Sequence, residues 1–187
     1  MCIYRFGKNY WKLKLKMLYL TASKGDRMTT RNRGFELVSK YTQEFQTREI
    51  KNPSRATKKS ACYDVYNNTG SDITLAPGQL SSAITTYFKS YMLDDEVLMA
   101  YVRSGHGFKF SVRLANSTGI IDCDYYNNSN NEGEIFIKLH NQGEKDLVIK
   151  SGEAMAQFMF QKYLLADNDA DTVGGERTSG LGSTTKA

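Results

Sequence analysis

The sequence predicts an all-β fold, a sandwich or barrel built from many short strands. Two observations carry this. Short apolar runs recur at nearly even spacing, and turn signals rich in Gly, Pro, Asn and Asp separate them. A length of 187 residues suits one such domain with tails and is enough to bury a sizeable core.

The first strand is expected at Phe35-Glu36-Leu37-Val38, followed by a polar, basic connecting loop over 40–60 that contains Pro53. Further strands are expected at Cys62 to Tyr66, Ile73 to Leu75, Ser82 to Phe88, Val97 to Val102, Glu134 to Leu139, Leu147 to Ile149 and Ala156 to Tyr163. Asn67 to Gly70 and Ala76-Pro77-Gly78-Gln79 read as turns between them. Gly107 to Arg113 is the exception, where one short helix or turn intervenes. After Leu165 the composition changes to acidic and then to Gly/Ser/Thr-rich, from Gly174 to Thr185. This reads as a flexible tail, or as a phosphate-wrapping loop rich in accessible backbone N–H, hydroxyls and one Arg.

Hydrophobic residues make up 40% and charged residues 24%, ordinary for a soluble globular protein, and twelve tyrosines are a high count. No apolar run approaches the roughly 20 residues of a membrane span. Cys2, Cys62 and Cys123 leave an odd thiol with no zinc spacing, so neither a disulfide framework nor a structural zinc is expected and a reducing, cytoplasmic setting is. His106 and His140 read as ordinary polar residues. The net charge of +5 is concentrated: seven cations against Asp26 give residues 1–27 a charge of +6, which leaves −1 for residues 28–187. The main body is therefore not expected to bind nucleic acid stably.

Residues 1–27 carry Trp11-Lys12-Leu13-Lys14-Leu15-Lys16, an alternating apolar and basic pattern. It reads as an edge strand or surface-binding arm, as a disordered extension, or as translation from a start codon placed too far upstream. Lys24-Gly25-Asp26 can be encoded by a string containing a bacterial ribosome-binding sequence just before Met28. We therefore expect the natural protein to begin at Met28.

Five stretches carry chemistry. Gly119-Ile120-Ile121-Asp122-Cys123-Asp124-Tyr125-Tyr126, with Leu114-Ala115-Asn116 upstream, delivers a carboxylate at a strand end. Asp122, flanked by isoleucines expected to be buried, is either a general base or a turn Asp capping the strand, on even terms. Val102-Arg103-Ser104-Gly105 suits a phosphate or is a plain strand-to-turn transition. Asp64, inside the apolar run Ser60 to Val65, is either metal-linked or paired with a structural Arg or Lys. Gly152-Glu153-Ala154-Met155-Ala156-Gln157 is a turn opening a strand, and Arg177 to Thr185 is the Gly-rich tail.

In order and spacing these five stretches resemble the motifs of the trimeric dUTPase family, particularly phage-type members, from about Met28 to the C-terminus. The resemblance implies a jelly-roll-like β-barrel over 28–165 and a homotrimer with active sites at subunit interfaces. It also implies a swapped C-terminal arm, 166–187, that closes over a neighbour's site. The implied reaction is Mg2+-dependent cleavage of dUTP to dUMP and pyrophosphate, which keeps uracil out of DNA and supplies dUMP for thymidylate synthesis. By this resemblance Asp122 activates the water, Tyr125 packs on deoxyribose, and Asn116 with Gly119 and the hairpin after Tyr125 reads uracil. Asp64 holds the Mg2+ site through water. Arg103, Ser104, Gly105 and Gln157 contact phosphates, Arg177 with Gly182, Ser183 and Thr184 clamps the γ-phosphate, and Leu181 of the same arm stands at the position that covers uracil.

Several positions depart from the family pattern. Cys62 stands where Gly is usual, Ala154 where a basic residue is common, and Leu181 where an aromatic stacks on uracil. The turn Tyr126-Asn127-Asn128-Ser129-Asn130-Asn131-Glu132-Gly133 is longer than usual. Two other functions fit the fold: a dCTP deaminase, whose catalytic Glu is not evident between Asn116 and Tyr125, and a nucleotide-switched interaction module with an unidentified protein partner. The setting implied is a bacterial cytoplasm, with a phage or prophage gene. Intact mass of the protein from its native source is expected to match a chain starting at Met28; a mass that includes residues 1–27 overturns that start.

Overall fold

The computed structural model describes residues 31–169, and all of the described elements but four short helical ones are strands. In chain order they are β1 (Gly34–Leu37), a 3-10 turn (Ser39–Tyr41), α1 (Thr42–Thr47), β2 (Tyr63–Tyr66), β3 (Ile73–Leu75), β4 (Ile84–Thr85), β5 (Phe88–Tyr91) and β6 (Glu96–Val102). There follow α2 (Ser104–Phe110), β7 (Val112–Leu114), β8 (Gly119–Asp122), a 3-10 turn (Cys123–Tyr125), β9 (Phe136–Ile137), β10 (Leu139–Asn141), β11 (Leu147–Ile149) and β12 (Ala154–Lys162). The all-β expectation holds.

The largest sheet is antiparallel, in the order β2-β12-β6-β8. Glu96, Leu98 and Ala100 of β6 are buried while Val97, Met99 and Tyr101 are less so, the period-2 pattern of a strand with one face on the core. The remaining strands pair two by two, as β1-β5, β3-β11, β4-β9 and β7-β10. Leu98, Leu139, Leu147, Ile149, Met155 and Phe158 are fully enclosed between these layers. Phe35 ties β1 to them through ring contacts with Phe158 at 6.0 Å and Phe160 at 5.4 Å.

Three expectations are corrected. The loop expected over 40–60 contains α1, because Tyr41 and Phe45, four residues apart, pack on Ile50, Tyr87 and Phe88. The strand expected over Ser82 to Phe88 is broken at Tyr87, whose φ of 71° turns the chain between β4 and β5. Arg48 holds that turn, with Nη2 donating to the Tyr87 hydroxyl at 2.7 Å. The run from Glu134 splits at Lys138 into β9 and β10, which pair with different partners.

Two buried carboxylates pin the N-terminal segment to the body. Glu134 is fully enclosed; its Oε1 accepts from Tyr41 Oη and Thr85 Oγ1, both at 2.5 Å, and Lys40 Nζ lies 2.5 Å from Oε2. Glu96 accepts from Arg33 Nε at 2.9 Å and from the Leu93 amide at 3.2 Å. The Arg33 guanidinium, more than the backbone donor, holds the Glu96 carboxyl below the usual carboxylate range. A carboxyl lowered on folding stabilises the fold at pH values above its unfolded pKa of about 4.3, and the contribution disappears as pH falls through the folded value. Arg33→Met is therefore expected to melt lower than the unsubstituted chain at pH 7, with the gap closing below about pH 4. Thermal melts from pH 7 down to pH 2.5 check this; a gap independent of pH refutes it.

Candidate active site

A cavity of about 250 Å³ opens beside β8, lined by Ala100, Leu114, Asn116, Gly119, Ile120, Asp122 and Tyr125, among others. Its origin is the register between β6 and β8, in which Ala100 faces Gly119, Met99 faces Ile120, Leu98 faces Ile121 and Val97 faces Asp122. Two of the smallest residues thus oppose each other across the ladder. A Cβ on Gly119 would lie 2.9 Å from the Ala100 Cβ and 3.8 Å from Asn116 Nδ2. Asn116 reaches the cavity through a tight turn in which Ser117 has a φ of 64° and its amide donates to the Leu114 carbonyl at 3.0 Å.

The Tyr125 ring is 8% exposed and forms part of the cavity wall. Its hydroxyl donates to the Glu134 carbonyl at 2.9 Å and accepts from Asn131 Nδ2 at 2.8 Å. The structure therefore brings together four residues singled out from the sequence: Asn116, Gly119, Asp122 and Tyr125. One local expectation is corrected. Ile121 packs against the core, but Ile120 is 64% exposed and Asp122 lies at the surface, so two buried isoleucines do not flank the carboxylate. Sequence reasoning missed Ala100, Phe136 and Lys138 as cavity residues. Phe136 and Lys138 belong to a continuous lining run with Ile135 and Ile137, so strand alternation offered no signal for them.

The long turn after Tyr125 satisfies itself. Asn128 Nδ2 donates to the Tyr125 carbonyl and to Asn131 Oδ1, both at 2.8 Å, and Asn128 Oδ1 accepts from the amides of Asn130 and Asn131 at 3.1 Å. Asparagine suits this place because its side chain mimics a backbone unit.

A second group sits at the opposite end of β6. Arg103 follows Val102 and starts α2; its Nε lies 3.1 Å from Asp64 Oδ1 and its Nη2 3.4 Å from Oδ2. In register, Gln157 of β12 faces Asp64 on one side and Tyr101 on the other, and its Nε2 donates to the Val102 carbonyl at 2.9 Å. Of the two readings for Asp64, the pairing with an Arg is realised, and both carboxylate oxygens retain lone pairs for further donors. Ser104 and Gly105 are exposed, and a Cβ on Gly105 would meet nothing within 4 Å, so this corner is open. Beneath it His106 is buried, and desolvation, only partly offset by Glu153, holds its pKa below the ordinary value. Burial raises the Cys62 and Cys123 thiols, which makes neither a ready nucleophile.

Within one chain the Asp122 backbone stands far from that of Arg103. Asp122 faces Val97 and Arg103 lies six residues further along β6, a separation on the order of 20 Å at about 3.3 Å per residue. Arg177, Leu181, Gly182, Ser183 and Thr184 lie outside the described residues, as do residues 1–27.

The dUTPase family model matches residues 48–183. The chain is similar to the deoxyuridine 5'-triphosphate nucleotidohydrolase of Lactococcus lactis, 41% identical over 152 residues, which cover 81% of this chain and 97% of the relative. The enzyme of that name from Desulfitobacterium hafniense (strain DSM 10664 / DCB-2) is 32% identical over 137 residues, 71% of this chain and 85% of the relative. Among solved structures, the dUTPase from Streptococcus mutans superposes with a TM-score of 0.61 at 37% identity, covering 72% of this chain and 99% of that one. The dUTPase from phage phi11 of S. aureus shares the fold, with a TM-score of 0.55 at 18% identity over 73% of this chain and 93% of that one.

The contact across Ala100 and Gly119 yields a test. Gly119→Ala is expected to destabilise the fold by about 1–3 kcal/mol, because two Cβ atoms at 2.9 Å force β8 from β6. In urea unfolding, adding Ala100→Gly should recover part of that loss; strict additivity of the two changes rules the contact out as the cause.

Proposed function

We infer the working of this site from one premise: the chain belongs to the dUTPase family. Its reaction is the hydrolysis of dUTP to dUMP and pyrophosphate. We assign the roles as follows. Asp122, at the open mouth of the cavity, takes the proton from the attacking water as general base. The Tyr125 ring packs on deoxyribose and leaves no room for a 2′-hydroxyl. Asn116, with the close backbone at Gly119 and the turn after Tyr125, reads the uracil edge, where a 4-amino group would mispair. Arg103, Ser104, Gly105 and Gln157 bind the phosphates, and Asp64 orients Arg103 through its two contacts. Arg177, Leu181, Gly182, Ser183 and Thr184 close the site as an arm.

Among the described residues no group of three or more His, Cys, Asp or Glu could hold a metal ion. The donors present fit Mg2+ carried on substrate phosphates with several waters retained, Asp64 accepting from those waters. Bound in that way, Mg2+ neutralises triphosphate charge. A dUTPase from phage phi11 is described with a structural Mg(II) ion, and at 17% identity its likeness to this chain extends to the fold alone.

The separation of Asp122 from Arg103 along β6 carries a further part of the proposal. The general base Asp122 and the phosphate-binding Arg103, on backbone about 20 Å apart, are too far from each other to serve one triphosphate within a single chain, so each site joins the Asp122 cavity of one protomer to the Arg103 corner of another. A closed homotrimer repeats that heterologous contact three times. We propose that residues 1–27, which the family match over 48–183 leaves uncovered, are not part of the enzyme domain.

Pyrophosphate release from dUTP, dTTP, dCTP and UTP in Mg2+ is expected for dUTP alone and is expected to be lost in Asp122→Asn. Binding of dUTP without turnover in the unsubstituted chain shifts the assignment to a nucleotide-switched interaction module. Two inactive variants, Asp122→Asn and Arg103→Ala, unfolded together and refolded as a 1:1 mixture, should regain about a quarter of full turnover, the share of interfaces that pair two intact halves. No recovery refutes the shared site.

A further inference from the structure

We propose that Lys89 is a positioning residue for base recognition: its ammonium locks the two ends of the turn Tyr126 to Gly133 and so sets how tightly and how selectively the site takes a uracil nucleotide. The inference rests on the reading that this turn contacts the base. Lys89 lies on β5, opposite Glu36 of β1, and is only 7% exposed, which is unusual for a lysine. Its Nζ donates to Asn127 Oδ1 at 2.6 Å and to Glu132 Oε1 at 2.7 Å. Those two are the non-glycine residues of the turn with left-handed backbones, φ 55° and 63°. Asn tolerates that region, but Glu there is strained, and surrounding contacts must offset the strain.

The contacts are concentrated at that point. The Ser39 Oγ and amide donate to Glu132 Oε2 at 2.6 Å and 3.1 Å, so β1's exit and β5 grip the same carboxylate. Lys89 Nζ also stands 5.2 Å from the centre of the Tyr126 ring, whose edge meets Tyr91 at 6.0 Å and whose hydroxyl donates to Glu36. The lowered Glu132 carboxyl is consistent with this, Lys89 being the largest cause and Ser39 the next. Inside the turn Asn128 and Asn131 satisfy the backbone without help from Lys89. Lys89 therefore governs where the finished turn sits, not whether it forms. That position reaches the cavity through Tyr125, which lines it and against which the turn returns: a Cβ on Gly133 would lie 2.7 Å from the Tyr125 carbonyl oxygen.

The test uses the full chain with Lys89→Met, Lys89→Arg and Glu132→Gln, reading kcat and KM for dUTP, the ratio of the inhibition constant of dCTP to the KM for dUTP, and amide exchange across 126–133. Lys89→Met should raise KM about tenfold, narrow the preference for dUTP and speed exchange in the turn, with kcat within about twofold. Lys89→Arg should restore part of the KM. Faster exchange with unchanged KM and preference overturns the inference while leaving the dUTP reading intact. If Lys89→Met does not fold, Glu132→Gln carries the same expectation at smaller size, and an unchanged KM in that folded variant overturns it. If the unsubstituted chain neither turns over nor binds dUTP, the reading of the site falls and this inference falls with it.

Discussion

Strand β6 is held along both edges, by β12 on one side and β8 on the other, and the arrangement of the molecule depends on that double pairing. With both edges satisfied, β6 can bury Leu98 and Ala100 on one face and still run seven residues without a bulge. Its two ends then present different chemistry. The Glu96 end is tied down by Arg33 and faces Asp122; the Val102 end passes straight into Arg103 and α2. One straight element thus keeps an acid and a cation at a fixed distance that neither side chain can bridge.

Much of the remaining sheet consists of ladders two to four residues long, which leave many backbone groups without a strand partner. Buried asparagines take the place of the missing ladder bonds. Asn67 Nδ2 donates to the carbonyls of Ser71 and Ile149 while its Oδ1 accepts from Thr69. Asn141 Nδ2 donates to the carbonyls of Leu75 and Lys145, and its Oδ1 accepts from Gly143. Each amide joins segments that lie far apart in sequence, so the polar core specifies topology where short strands cannot.

What was legible in the sequence follows from range. β6 shows period-2 burial, and Asn116, Gly119, Asp122 and Tyr125 fall within ten residues of one another, so local pattern and motif order found both. Lys89 was hidden because a lysine in an alternating strand reads as a surface residue; only the fold brings Glu132, 43 positions away, to its ammonium. The pairing of Asp64 with Arg103 spans 39 positions and was legible only as one of two alternatives. Tyr87 was missed for a different reason: nothing in an aromatic residue announces a left-handed backbone, which here is stabilised by Arg48 and Thr85.

The hollow at Ala100 and Gly119 is bounded on that side by main chain. Side chains can change rotamer to admit a larger guest, whereas paired strands cannot part locally without breaking their ladder. That wall behaves as a rigid gauge whose width was set when the protein folded. Sequence drift elsewhere around the rim can alter charge or grip, but the dimension that this wall measures stays constant for as long as these two positions remain small.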